Sequence, residues 1–174
     1  MKKTILAIST VAFLFAACGG PSEEATTSET PATTEAPAET PAETPEPASA
    51  EAVVTLNAGD DMKYDISEIN VKEGQTVKLT LHHVGKMPVT AMGHNFVLLA
   101  SGASLEDFAK EAINAKDNDY IPKAKEKDVI AHTKTIGGGE SVEISFPAPA
   151  KGTYDFLCSF PGHSAMMKGK FIVD

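Results

Sequence analysis

The sequence predicts an all-β sandwich with one helical insertion, placed behind an export signal and a segment too polar to fold. Three observations predict it. Composition breaks sharply near residue 50, the residues beyond it run in short apolar and polar alternations punctuated by turn residues, and only one stretch among them has helical periodicity.

Residues 1–17, MKKTILAISTVAFLFAA, place Lys2 and Lys3 ahead of an apolar run from Ile5 to Ala17 that ends in small residues. The order is that of an export signal, and the run is short for a membrane span. Residues 18–50 follow as CGG and then PSEEATTSETPATTEAPAETPAETPEPASA, which has seven glutamates and neither lysine nor an aromatic residue. Such a segment has too little apolar surface to offset the entropy of ordering its backbone, so it is expected to stay disordered and partly polyproline-like. At ~3.1 Å per residue, about thirty such residues could reach ~100 Å.

The 174-residue chain has a formal charge of −9, to which the signal contributes +2, the linker −7 and residues 51–174 only −4. No dense run of lysine suggests nucleic acid, and none is expected as a partner. Two cysteines are present, Cys18 in the leader and Cys158 in the folded part. A single cysteine in an exported domain cannot form an internal disulfide there, so its thiol is either incidental or functional.

Within residues 51–174 the strand candidates are VVTLN from Val53, SEINVKEG around Ile69 and Val71, TVKLTLHHV from Thr76, HNFVLL from His94, SVEISFPA from Ser141, GTYDFLC from Gly152 and the terminal KGKFIVD. Thr76 to Leu81 alternates at period two, as a strand with one face on a core should. SLEDFAKEAINA opens on a capping Ser104 and sets Leu105, Phe108, Ala109, Ala112 and Ile113 on one helical face, which predicts the helix. About 124 residues are enough for one core.

The chemistry gathers in CSFPGHSAMM, residues 158–167. Cys158, His163 and Met167 stand in a C-x4-H-x3-M pattern around a Phe-Pro-Gly turn. A site that moves single electrons through copper needs a thiolate, two neutral imidazoles and a weak axial thioether. MGHN, residues 92–95, supplies the second imidazole as His94, and Gly93 leaves a carbonyl free to approach a metal closely. Taken singly, a cysteine is a small core hydrophobe and a methionine fills gaps. The combination in an exported all-β domain points to copper. His82 and His132 read as surface or satisfied histidines.

MGHNFVL, VIAHTKTIGGGE and CSFPGHSAMMKG resemble azurin segments in azurin order, and the similarity extends over residues 52–174. The azurins are bacterial blue copper proteins of the cupredoxin family. The resemblance implies a cupredoxin-like Greek-key β-sandwich binding one copper (Cu+/Cu2+) per domain. It also implies equatorial ligands His94, Cys158 and His163, axial Met167 in preference to Met166, and the Gly93 carbonyl as a distant contact. The backbone N–H groups of Asn95 and Phe160 are implied as donors to the Cys158 sulfur. Met62, Met87, Ala91, Met92, Phe160, Pro161 and Met166 are implied as an apolar docking collar around His163. Three positions depart from the family. Ala52 and Gln75 stand where azurins carry a disulfide, and Phe96 replaces a tryptophan familiar in some azurin cores. His83 matches a histidine coupled to redox state in some members.

The resulting expectation is a type 1 copper protein, not an enzyme, that passes single electrons between redox proteins such as c-type cytochromes or copper-dependent reductases and oxidases. Its place would be the periplasm or cell envelope. Cys18, after small residues at the end of the signal, resembles a bacterial lipoprotein processing site and would be lipidated, anchoring the chain to a membrane. Cleavage without lipidation is the alternative there. A copper carrier or store, a Cys158–His163 nucleophile pair and an adhesion module on an acidic stalk are the competing readings of the domain.

Overall fold

A computed structural model describes residues 51–174. The expectations for the signal, Cys18 and the linker lie outside the described residues. The strands are β1 (Glu51–Ala58), β2 (Glu68–Val71), β3 (Thr76–His83), β4 (Val97–Leu99), β5 (Val129–His132), β6 (Ser141–Pro147), β7 (Gly152–Leu157) and β8 (Lys168–Val173). Helix α1 spans Val89–Met92 and α2 spans Leu105–Ala112, with short 3-10 turns at Lys116–Asn118, Lys123–Asp128 and His163–Ala165.

These strands form a three-stranded sheet ordered β1-β3-β6 and a five-stranded sheet ordered β2-β8-β7-β4-β5. The chain steps between sheets from β1 to β2 and back to β3, so β1 runs parallel to β3 and β2 parallel to β8, while the other pairs are antiparallel. The inner faces close on one core. On β3, Val77, Leu79, Leu81 and His83 are buried in alternation, and on the second sheet Ile69, Val71, Phe156, Phe171 and Val173 do the same. Phe146 of the first sheet meets Phe171 of the second with ring centroids 6.1 Å apart, which marks the contact between the layers.

The helix falls where its periodicity places it. Ser104 caps α2 by accepting the Asp107 N–H, and Phe108 and Ala112 are buried. Ile113, expected on the buried face, is 55% exposed, because the helix ends at Ala112 and Ile113 is its C-terminal cap. The strand expected from His94 is also shorter. Its ladder covers only Val97–Leu99, since His94 exchanges both backbone bonds with Ile136 and the Phe96 N–H is taken by the Thr133 hydroxyl. Strand β5 and helix α1 were not among the predicted elements. β5 is half-buried from Val129 to Ala131 and exposed at His132, without a period-two pattern, and α1 has only four residues. Among the described residues no helix is long and apolar enough to cross a membrane.

Candidate metal centre

The β7–β8 connection carries three of the functional side chains. In the β7–β8 ladder Leu157 faces Lys168, and one step further the Cys158 N–H donates to the Met167 carbonyl at 2.9 Å. Cys158 and Met167 are therefore neighbours across a hairpin although they are nine positions apart in sequence. The loop is closed by its own backbone: the His163 N–H donates to Phe160 O at 3.0 Å, and the N–H groups of Met166 and Met167 donate to His163 O at 3.0 and 2.8 Å. Gly162 supplies the left-handed turn at φ 83° that returns His163 towards Cys158. Met167 is fully buried whereas Met166 is 55% exposed, so only the former side chain faces inward.

His94 enters from the other side, between α1 and β4. Its Nε2 is 2.9 Å from the Gly59 carbonyl, which places the ring proton there and leaves the Nδ1 lone pair facing Cys158 Sγ at 4.0 Å. His163 Nδ1 lies 3.7 Å from the same sulfur and Gly93 O lies 3.9 Å from it. One donor atom from each of His94, Cys158 and His163 falls within 4.8 Å of the others, and all three residues are buried. Gly93 has no room for a side chain, because a Cβ there would come within 2.7 Å of Phe160, Thr135 and the Val89 carbonyl.

Electrostatics in the site favour neutral imidazoles. Burial lowers the pKa of His163 to about 4, with repulsion from His94 and His83 adding to it. Burial also lowers that of His94, against an opposing hydrogen bond to Gly59. Both rings thus offer lone pairs at neutral pH. Burial raises the Cys158 thiol to about 11, while backbone N–H groups of Asn95 and Phe160 and the Tyr64 side chain pull it down. Without a cation the group stays a thiol. A bound metal would take it as thiolate and release the proton. Two imidazole nitrogens, a thiol sulfur and an adjacent buried thioether form a soft, mixed N and S donor set that suits copper in both common oxidation states. The residues present fit that ion.

The surroundings hold these groups in place. The Asn95 side chain clips the two ligand segments together: its Oδ1 accepts the Ser159 N–H at 2.9 Å, and its Nδ2 donates to Ser159 Oγ and to the Asp119 carbonyl, each at 2.8 Å. Rings follow one another in a row: His83 stacks on His94 at 4.4 Å, His94 meets His163 at 5.1 Å and His163 meets Phe160 at 4.7 Å with tilted planes, and Phe160 meets Tyr120 edge-on at 5.0 Å. His83 Nδ1 accepts the Gly85 N–H, which puts its ring proton on Nε2 facing Met92 O at 2.7 Å.

Of the collar residues, Met87, Ala91 and Met166 are exposed, and Met62, Met92 and Pro161 are half-buried. His163 keeps 4% of its surface open. His132 is exposed and His82 bonds Ser141 Oγ, and neither is part of the cluster. Sequence reasoning missed Gly59, Tyr64 and the Asn95 side-chain clip. Gly59 and Tyr64 act from the loop after β1, and no spacing motif links that loop to residues 94 or 158.

Residues 50–174 match the family described as copper binding proteins, plastocyanin/azurin family. An azurin of Bordetella pertussis is 42% identical over 126 residues, covering 70% of this chain and 83% of that protein. Outer membrane protein H.8 of Neisseria meningitidis is 37% identical over 126 residues, covering 70% of this chain and 67% of that one. Among solved structures, an azurin from Methylomonas sp. strain J superposes with a TM-score of 0.63 at 39% identity, covering 73% of this chain and 99% of its own. The fold is that of the cupredoxins, and His94, Cys158 and His163 with Met167 form a type 1 copper site. A buried thiol held between two neutral imidazoles on a β-sandwich agrees with these likenesses, and the chain belongs to the plastocyanin/azurin family of copper binding proteins.

Proposed function

We propose that this chain carries single electrons between redox proteins of the cell envelope and catalyses no reaction of its own. The carrying observation is the donor set itself. His94, Cys158 and His163 are buried, come from two loops locked together by Asn95, and bring one donor atom each to a common point. Bound copper supplies the Cu+/Cu2+ one-electron couple. The chain supplies a fixed geometry: the Ser159–Asn95 clip and the Cys158–Met167 backbone bond keep the donor atoms still, so little rearrangement need accompany each electron. Met167 serves as the axial thioether in this reading, and the Gly93 carbonyl as a distant fifth contact. Backbone N–H groups of Asn95 and Phe160 tune the sulfur.

Electrons would enter and leave at the exposed edge of His163, through the collar of Met62, Met87, Ala91, Met92, Pro161 and Met166. Partners of fitting character are c-type cytochromes or copper-dependent reductases and oxidases. The signal-like residues 1–17 and the similarity to an outer membrane protein support an envelope location. Lipid on Cys18 would anchor the chain there, with residues 18–50 as tether. Intact mass of the mature protein tests the anchor, since a mature form without an acyl group would remove it.

Copper added to the purified protein tests the central reading. Intense thiolate-to-copper absorption in the visible is expected in the oxidised protein, together with a reversible one-electron wave in voltammetry. Cys158→Ser should abolish the colour and keep the fold, and a variant that stays blue would refute the assignment. Copper storage is the alternative, and it would show as rapid exchange of the bound ion into a chelator.

A further inference from the structure

Tyr64, partly buried in the connection after β1, brings a hydroxyl to the edge of the site. Tyr64 follows the turn closed by the Met62 N–H on Gly59 O, and its ring reaches into the core to pack on Phe156 with centroids 5.7 Å apart. Its hydroxyl donates to the Asn95 carbonyl at 2.5 Å. A phenylalanine would fill the same apolar space, so the packing alone does not require the oxygen. The oxygen instead reaches the residue that organises the ligands. Asn95 directly follows His94, its N–H is a donor to the Cys158 sulfur, and its side chain holds Ser159 by two hydrogen bonds.

We propose that Tyr64 is a positioning residue for the copper thiolate. Its hydroxyl pins the Asn95 carbonyl, so that the Asn95 N–H stays aimed at Cys158 and the side-chain clip stays aimed at Ser159. Tyr64 thus acts on the thiolate through Asn95, from a strand connection that carries no ligand.

The consequence concerns potential more than binding. Hydrogen-bond donors around a thiolate stabilise negative charge on sulfur, weaken its donation to the oxidised metal and raise the reduction potential. The inference rests on Cys158 being the copper thiolate, and its test separates the two. In the metal-free protein, Tyr64→Phe should speed amide hydrogen exchange at Asn95 and Ser159 by about tenfold, the effect of losing one hydrogen bond, while Leu79 and Phe156 keep their rates. In the copper-loaded protein the same variant should have a lower reduction potential. Placing 3,5-difluorotyrosine at position 64, which keeps the ring and strengthens the donor, should move the potential the other way. That substitution also carries the test if Tyr64→Phe fails to fold. A potential unchanged in both proteins, or exchange that quickens uniformly across the core, would overturn the proposal and leave Tyr64 as packing. A wild-type protein that stays colourless with copper would instead refute the ligand assignment, and the metal-free exchange would still decide the role of Tyr64.

Discussion

The Cys158 N–H donates to the Met167 carbonyl at 2.9 Å, so the two sulfur-bearing residues of the metal loop sit opposite each other at the mouth of the β7–β8 hairpin. Strand pairing, which already sets Leu157 against Lys168, thereby places buried Met167 opposite the Cys158 thiol. The next methionine in the chain gains nothing from it, since Met166 points out with 55% of its surface exposed.

This arrangement separates the two methionines by experiment. Met167→Ala should retain copper on the three remaining donors but shift both the reduction potential and the visible spectrum, because the weak axial ligand tunes the couple more than it holds the ion. It should also cost about 2–5 kcal/mol of stability in the metal-free protein, the usual cost of truncating a fully buried methionine. Met166→Ala should leave potential, spectrum and stability near wild type. Voltammetry and urea titration of both variants check the ranking, and the reverse order would move the axial role to Met166.

Acid should weaken the metal-free fold through the buried imidazoles. His163 is held at about 4 in the folded protein against 6.5 for a free side chain. Above pH 6.5 it is neutral in both states and contributes no pH dependence. As pH falls below 6.5 the unfolded chain takes up a proton that the folded one refuses, so stability drops until about pH 4, where the folded ring also protonates. The full loss is on the order of 3 kcal/mol for this group, and His94, lowered by burial as well, acts in the same direction. Urea midpoints measured from pH 7.5 to 4 should therefore fall in the metal-free protein, and His163→Gln should flatten part of that slope. A slope unaltered by the substitution would place the acid sensitivity elsewhere.

How much of this was legible in the sequence differs from element to element. Strand β3 was readable because Val77, Leu79 and Leu81 alternate with polar residues on a sheet with one face in the core. Helix α2 was readable from Ser104 and its apolar spacing, although the end at Ala112 was not, since caps lie in backbone geometry and Ile113 is as apolar as the residues before it. Cys158, His163 and Met167 stand close in sequence, and their spacing drew attention to copper before any fold was known. His94 needed the resemblance or the chemistry to recruit it from 64 residues away. Tyr64 and Gly59 gave no signal at all: what they contribute is a hydroxyl and a carbonyl brought to the ligands by the connection that crosses from β1 in one sheet to β2 in the other, and that proximity exists only in three dimensions.

Electron exchange should depend on the apolar rim more than on charge. His163 is the ligand with an edge towards the surface, and Met87 and Met166 beside the metal-loop and α1 segments are 39% and 55% exposed. Residues 51–174 have a net charge of only −4, and no dense charged run flanks residues 158–167. Association through apolar contact changes little as salt screens charge, whereas steered association falls steeply with ionic strength. Met92→Lys puts a cation on the rim, where a second copy of the variant would meet it with a like charge and where any apolar partner would have to desolvate it. Its electron self-exchange, followed by stopped flow or NMR line broadening, should be slower by tenfold or more, on the order of the 1–2 kcal/mol expected for an unpaired charge in a contact. The copper spectrum should stay unchanged, because Met92 contributes only its backbone carbonyl, to His83. Unchanged rates in the variant, together with a steep salt dependence in the wild type, would move docking away from His163 to the acidic surface.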